Sequence, residues 1–455
     1  MSPLSGLRDI EAGQPGTQTA DVFNGGYAGP NYATVGQGVC AGGASPAAPN
    51  QLACATNADC AGVGGICDFS AAALPPSWAA GPNNGAVTEP AAIMDMGVLA
   101  GNAPAPLMAI DEDDEFFLTL SNPGMIMRPD LFEQHTVHFH GYPNASSFFD
   151  GVPDASIAIN IAGSFTYYYT APDAGTYFWH CHITPPEHLQ MGMVGQLYVR
   201  PRQNRVTRTS SATSSALLAA LVAGNRKTPG ANGTTCSDIL CTGQTPVPAS
   251  TAVTPVTFPA GQRFAYNDGD GSTAYDVEVP IQMMGFDPNF HYVGMTFNPE
   301  SFFDMKDKYP LLNGRGYPDT VNAGPISTMS ADGVSRPAQP IPALIVIDKT
   351  AGQTRALVRL SMLSVTEHVT IGTIGVPMHV IAQNARLLRD MAGGDTTYFA
   401  NSITLGGGES ADFILDVSDP RYAAGQTFYL YSTNLDHLSN DAENFGGMMT
   451  EIRIQ

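Results

Sequence analysis

From Ala91 to about residue 200 the chain is cut into strand-sized apolar and aromatic runs, punctuated by Gly, Pro, Asn and Asp. The runs MAIDEDDEFFLTLSN, QHTVHFHGY, SFTYYYTAP, GTYFWHCHI and GQLYVRP follow one another at short spacing. Strands alternate their side chains between two faces and turn residues reverse the chain, so this pattern predicts a β-sandwich. A second set of runs predicts a second sandwich from about Pro259 to Gln455: YDVEVPIQMMGF, ALVRLSML, VPMHVIAQN, SADFILDVS, GQTFYLYSTN and MTEIRIQ. Composition agrees. With 48 Gly, 35 Pro and 13% charged residues, the chain suits many short strands rather than helical bundles, and 43% hydrophobic residues can build real cores. The reading is all-β, with two sandwiches in tandem. An irregular, disulfide-pinned arm occupies 1–88, the first sandwich 89–201, a linker with one short helix 202–258, and the second sandwich 259–455.

The net charge of −21 argues against a nucleic-acid partner, which would need a basic surface. The longest apolar helical run, Ala216 to Ala223, is far too short to span a bilayer, and the opening MSPLSGLRDIEAG has no apolar signal core. Of seven cysteines, Cys40, Cys54, Cys60 and Cys67 cluster in a Gly/Ala/Asn-rich stretch, and Cys236 and Cys241 bracket a short loop. Six pairing as disulfides implies an oxidising compartment, extracellular or periplasmic. Cys181 is left over.

Its neighbours explain why. Six of ten histidines fall within 54 residues, in QHTVHFHG and WHCHITPPEHLQMGM. On a strand, His138 and His140 share one face, and so do His180 and His182, while Cys181 points to the other. Two strands can thus offer two imidazole pairs to one site, and Cys181 can ligate a different metal behind the sheet. His135 precedes the first pair by three residues, and His188 and Met193 follow Cys181 across a loop containing Pro185 and Pro186. Two His, one Cys and a weak axial Met make a blue-copper electron-transfer set.

His135-x-x-His138-x-His140-Gly and His180-Cys181-His182…His188-x-x-x-Gly192-Met193 resemble the copper signatures of multicopper oxidases. The likeness continues through DGVPDASIAINIAGSFTYYYTAPDAGTYFWHCH and, more weakly, through YPLLNGRGYP, VPMHVIAQN and SITLGGGESADFILDV. The resemblance implies tandem cupredoxin-like Greek-key sandwiches. It implies type 1 copper on His135, Cys181, His188 and Met193, and a type 2/type 3 copper cluster served by His138, His140, His180 and His182. It gives Asp150 the role of an acid delivering protons; a turn-forming Asp before Gly is the alternative. The implied activity is oxidation of a phenolic or reduced metal-ion donor, one electron at a time, with dioxygen reduced to water.

Two departures stand out. Five residues separate His182 from His188, where the family has three, so a type 1 loop of altered shape is expected. A full cluster uses eight histidines from two domains, and the second region has no His-x-His pair. There Ser432, Thr433 and Asn434 stand where His-Cys-His would be, and only His379 has a ligand-like context. The shortfall points to another chain or a second copy, with a homo-trimer preferred by analogy with two-domain relatives. The alternatives are a copper nitrite reductase-like enzyme and a non-enzymatic extracellular copper protein.

Overall fold

The computed structural model describes three short strands, Gly38–Ala41, Ala53–Cys54 and Ile66–Asp68. It also describes residues 103–122, 134–141, 147–224, 248–249, 256–293, 302–329 and 335–455, except 106, 113, 161–162, 172, 340 and 442. The N-terminal strands form one antiparallel sheet whose register sets Cys40 opposite Cys67. The rest of the proposed arm, with Cys60, and the linker cysteines Cys236 and Cys241 lie outside the described residues.

The first sandwich has one sheet in the order Met108–Asp111, Val194–Arg200, Gly175–His180, His138–His140. Its first pair is parallel and the other two are antiparallel. The antiparallel pair Glu115–Ser121 and Ser164–Thr170 faces it. Val137, Phe139, Tyr167, Tyr169, Tyr177 and Trp179 are all buried in the core between them. The period of two then sends His138, His140, Phe178 and His180 to the opposite face.

The second sandwich repeats the plan on a larger scale. One sheet runs Tyr309–Leu312, Val277–Phe286, Arg355–Met362, Glu409–Asp416, Met378–Gln383, Arg386–Leu387, with Tyr398–Ala400 also on Met378–Gln383. The other runs Ile345–Ile347, Met449–Ile454, Thr427–Ser432, Val369–Ile374, Ser402–Leu405. Ile281, Val358, Leu360, Ile371, Phe413, Leu430 and Ile452 lie in the core between them, each fully buried. The architecture is all-β, as the patterning implies. Between the sandwiches lie helices Asn204–Thr207 and Ser214–Gly224 and the short strand pair Ala212–Thr213 with Thr257–Phe258.

Every residue of Gly175–His180 and Val194–Arg200 is buried, because the outer face of these strands lies on the second sandwich. Phe178, Leu189 and Val194 pack there against Met284 and Leu363. Beside them is a buried polar cluster. Gln196 Nε2 donates to Arg359 O at 3.0 Å and to Ser361 Oγ at 2.8 Å. Glu278 pairs with Arg359 at 2.6 Å and with Arg200 at 2.7 Å. Thr176 Oγ1 donates to Asp412 Oδ1 at 2.5 Å.

Burial alone would raise the Glu278 carboxyl, but Arg200 and Arg359 more than offset it and hold it near about 2. A native-state pKa below the unfolded one adds stability that is complete above the ordinary Glu range and is lost as pH falls toward the folded value. Asp412, by contrast, is raised by burial despite Arg359, and its contribution has the opposite sign. Acid unfolding of wild type against Glu278→Gln separates the two. The variant is expected to lose less stability than wild type between about pH 5 and 2, and equal losses would show that Glu278 plays no part in it.

Candidate metal centre

Two groups of ligand atoms meet at one end of the first sandwich. His135, Cys181 and His188 form the first, and their ligand atoms all lie within 4.8 Å of one another. Cys181 Sγ is 3.2 Å from His188 Nδ1 and 3.8 Å from His135 Nδ1, and it accepts the Thr136 N–H at 3.4 Å. Cys181 is completely buried. Burial raises its thiol, but hydrogen bonds from His135 and His188 overcome this and bring it down to about 6. A thiolate between two imidazoles is a soft donor set that suits copper. Met193 lies alongside: its N–H donates to His188 O at 2.9 Å, and its carbonyl accepts from Cys181 N–H at 3.0 Å.

The lengthened loop folds as a short helix, Pro185–Gln190. Proline is favoured at a first helical position, where its missing N–H would have no partner. The helix carries His188 back toward Cys181 and is tied to the second sandwich. Gln190 Nε2 donates to Asp307 Oδ1 at 2.6 Å, and Gln190 Oε1 is 2.9 Å from His291 Nε2. His291, Gln190 and Asp307 carry no signal in the sequence, because no local motif joins residues about a hundred positions apart.

The second group is His138, His140 and His180, again with ligand atoms within 4.8 Å. His138 stands opposite His180 in the strand register, and His140 Nε2 is 2.8 Å from His180 Nε2. His182 lies outside this tight set, but its ring sits 5.1 Å from that of His138 and 5.7 Å from that of His180. Burial, then neighbouring imidazoles, lowers His140 to about 4. Burial lowers His180 to about 3. These rings are therefore neutral, as metal ligands must be. The structure thus brings together all four histidines of the second set, and the nitrogen donors fit a copper cluster.

Asp150 reaches this group through both its backbone and its side chain. Its carbonyl is 2.7 Å from His138 Nδ1, and Oδ2 is 3.5 Å away. The next residue, Gly151, has φ +82°, and a Cβ there would stand 2.0 Å from Val137 O and 2.8 Å from His138 N. Gly151→Ala is expected to push His138 off register, costing about 1–3 kcal/mol and about 10–100-fold in metal affinity. Thermal unfolding and copper titration check this; wild-type affinity in a folded variant would show the close approach to be unnecessary.

In the second sandwich the strand register corrects the expected alignment. Gly372 opposes Tyr431 as His138 opposes His180, and Ser432 N–H donates to Met448 O as Cys181 N–H does to Met193 O, so Tyr431, Ser432 and Thr433 correspond to His180, Cys181 and His182. Gly372 and Ile374 correspond to His138 and His140, and none of these positions carries an imidazole. His379 is engaged elsewhere, 2.9 Å from Thr397 Oγ1 and stacked on Phe399 at 4.6 Å. Among the described residues, no second-sandwich histidine joins a group of three ligands.

Residues 86–204 match the multicopper oxidase family model. Laccase abr2 of Aspergillus fumigatus is 30% identical over 131 residues, 28% of this chain and 20% of that protein. Multicopper oxidase MCE of Talaromyces pinophilus is 33% identical over 112 residues, 24% and 17% of the two chains. Blue copper oxidase from Nitrosomonas europaea superposes with a TM-score of 0.48 at 19% identity, covering 78% of each chain. The family match thus covers the first sandwich and its flanks. The aligned part spans about a fifth of the length of the two curated relatives.

Proposed function

We propose that the chain is a copper oxidoreductase that takes single electrons from a phenolic or reduced metal-ion donor and delivers them to dioxygen. His135, Cys181, His188 and Met193 would hold the electron-accepting copper, and His138, His140, His180 and His182 would hold the oxygen-reducing coppers. Bound copper supplies one-electron redox chemistry at the first set and reduction of dioxygen to water at the second.

The observation that carries this reading is covalent continuity between the two groups. Cys181 belongs to one, and its backbone neighbours His180 and His182 line the other. His180 Nδ1 also lies 2.7 Å from the Cys181 carbonyl, a hydrogen-bonded shortcut between the same two residues. That contact orients the ring so that Nε2 faces the cluster. Asp150 holds His138 and carries a partly exposed carboxylate suited to passing protons inward. The test is copper stoichiometry with spectroscopy: a thiolate–copper band and a type 3 absorption with more than two coppers per chain support the oxidase, and about two per chain the nitrite reductase-like layout. One copper per chain and no oxygen consumption would leave an electron-transfer or structural site.

The first sandwich supplies four imidazoles of a cluster that takes eight. The remaining ones come from another chain. The neighbour's second sandwich offers only Gly372, Ile374, Tyr431 and Thr433 at the equivalent positions. A second copy of the first sandwich in a symmetric homo-oligomer would supply the missing ligands, with a trimer the preferred state. Mass and oxidase activity measured together across dilution are expected to fall in parallel, and a fully active monomer would overturn this assembly.

The six cysteines other than Cys181 are proposed to pair as disulfides in an extracellular or periplasmic protein. Thiol counting on unfolded, copper-free, unreduced chain is expected to find one free thiol; five or more would refute the pairing.

A further inference from the structure

The second sandwich repeats the backbone of the Cys181 site around different side chains. Ser432 N–H donates to Met448 O at 2.9 Å and Met448 N–H to His437 O at 2.8 Å, as Cys181 does to Met193 and Met193 to His188. Ser432 Oγ is 3.2 Å from His437 Nδ1, the same separation as Cys181 Sγ from His188 Nδ1. Thr433 N–H donates to Thr370 O at 2.9 Å, where His182 N–H donates to Thr136 Oγ1 at 2.9 Å. Counting back from Gly372 as His135 lies back from His138, Val369 takes the place of the upstream imidazole. Val369, Ser432, His437 and Met448 are all buried.

We infer that the second sandwich is a former thiolate–metal site whose backbone frame, downstream imidazole and methionine survive, with Ser432 in place of the thiolate and Val369 in place of the upstream histidine. This rests on the copper reading of Cys181. A serine hydroxyl stays protonated and is a poor ligand for soft metal ions, so the remaining donors cannot hold one. Hydrogen bonds take over the imidazole instead: Nδ1 faces Ser432, and Nε2 is 2.6 Å from Glu367 Oε2. The class of ligand lost, and recoverable, is a divalent ion with affinity for sulfur and imidazole, such as copper(II) or cobalt(II).

The test is Ser432→Cys with Val369→His in a Cys181→Ser background, titrated with copper(II) and separately with cobalt(II). The expected result is one more ion bound per chain than in Cys181→Ser alone, with a thiolate charge-transfer band that the background lacks. Ser432→Cys alone, a one-atom change, is expected to give the cobalt band with weaker affinity, and it decides the outcome if the double replacement does not fold. A folded variant with neither uptake nor band overturns the inference. Failure of the Cys181 reading is told apart by the wild-type chain, which would then lack a thiolate band of its own.

Discussion

On the proposed function, replacing Cys181 with serine is expected to abolish the thiolate–copper absorption and to lower donor oxidation by at least about three orders of magnitude, the scale on which loss of one member of a catalytic unit is felt. Cys181 is the one cysteine whose sulfur lies among the described ligand groups, so no other residue can substitute for it in the band. It also links the two groups through its backbone neighbours, so the proposed electron entry and oxygen reduction are expected to be lost together. The change is nearly isosteric, and the Thr136 N–H that meets the sulfur can meet a hydroxyl instead. Melting of the copper-free variant is therefore expected to stay close to that of copper-free wild type. Persistence of the colour, or near-normal turnover, would show the assignment to be wrong.

Arg359→Ala is expected to destabilise the chain by about 3–5 kcal/mol, because removing one partner leaves buried carboxylates uncompensated. Arg359 is fully buried and is shared by Glu278 at 2.6 Å and Asp412 at 3.5 Å. Its guanidinium also lies over the Tyr198 ring, 4.9 Å from the centroid, so the first sandwich loses a contact in the same step. Adding Glu278→Gln is expected to recover part of the loss, as it removes one of the stranded charges. Chemical denaturation of the two variants decides the matter. A cost below about 1 kcal/mol for Arg359→Ala would mean that water reaches the cluster and screens it.

The site was legible where local geometry decides it. HFH and HCH on strands must each present two imidazoles to one face, and the structure brings all four together. The loop after His182 was legible only as altered. The helix it forms is tied down by Gln190 reaching Asp307, and that partner is far away in sequence. The second sandwich was the least legible. Its Ser432, His437 and Met448 occupy the frame of Cys181, His188 and Met193, but the last two lie five and sixteen positions beyond Ser432, where the first sandwich has seven and twelve. With the chemistry gone and the spacing changed, no motif remains, and the alignment expected from the sequence falls one residue out of register.

The chain's own pattern therefore determined an all-β architecture and the grouping of the candidate ligands of the first sandwich, because strand alternation and ligand type act within a few residues. Only the tertiary structure decided what faces what across the sandwiches. The Arg200–Glu278–Arg359 cluster and the Gln190–Asp307 tie join residues far apart in the chain. Burial between two sheets, rather than any local preference, makes those pairings obligatory: a polar group removed from water needs a partner, and packing determines which one is within reach.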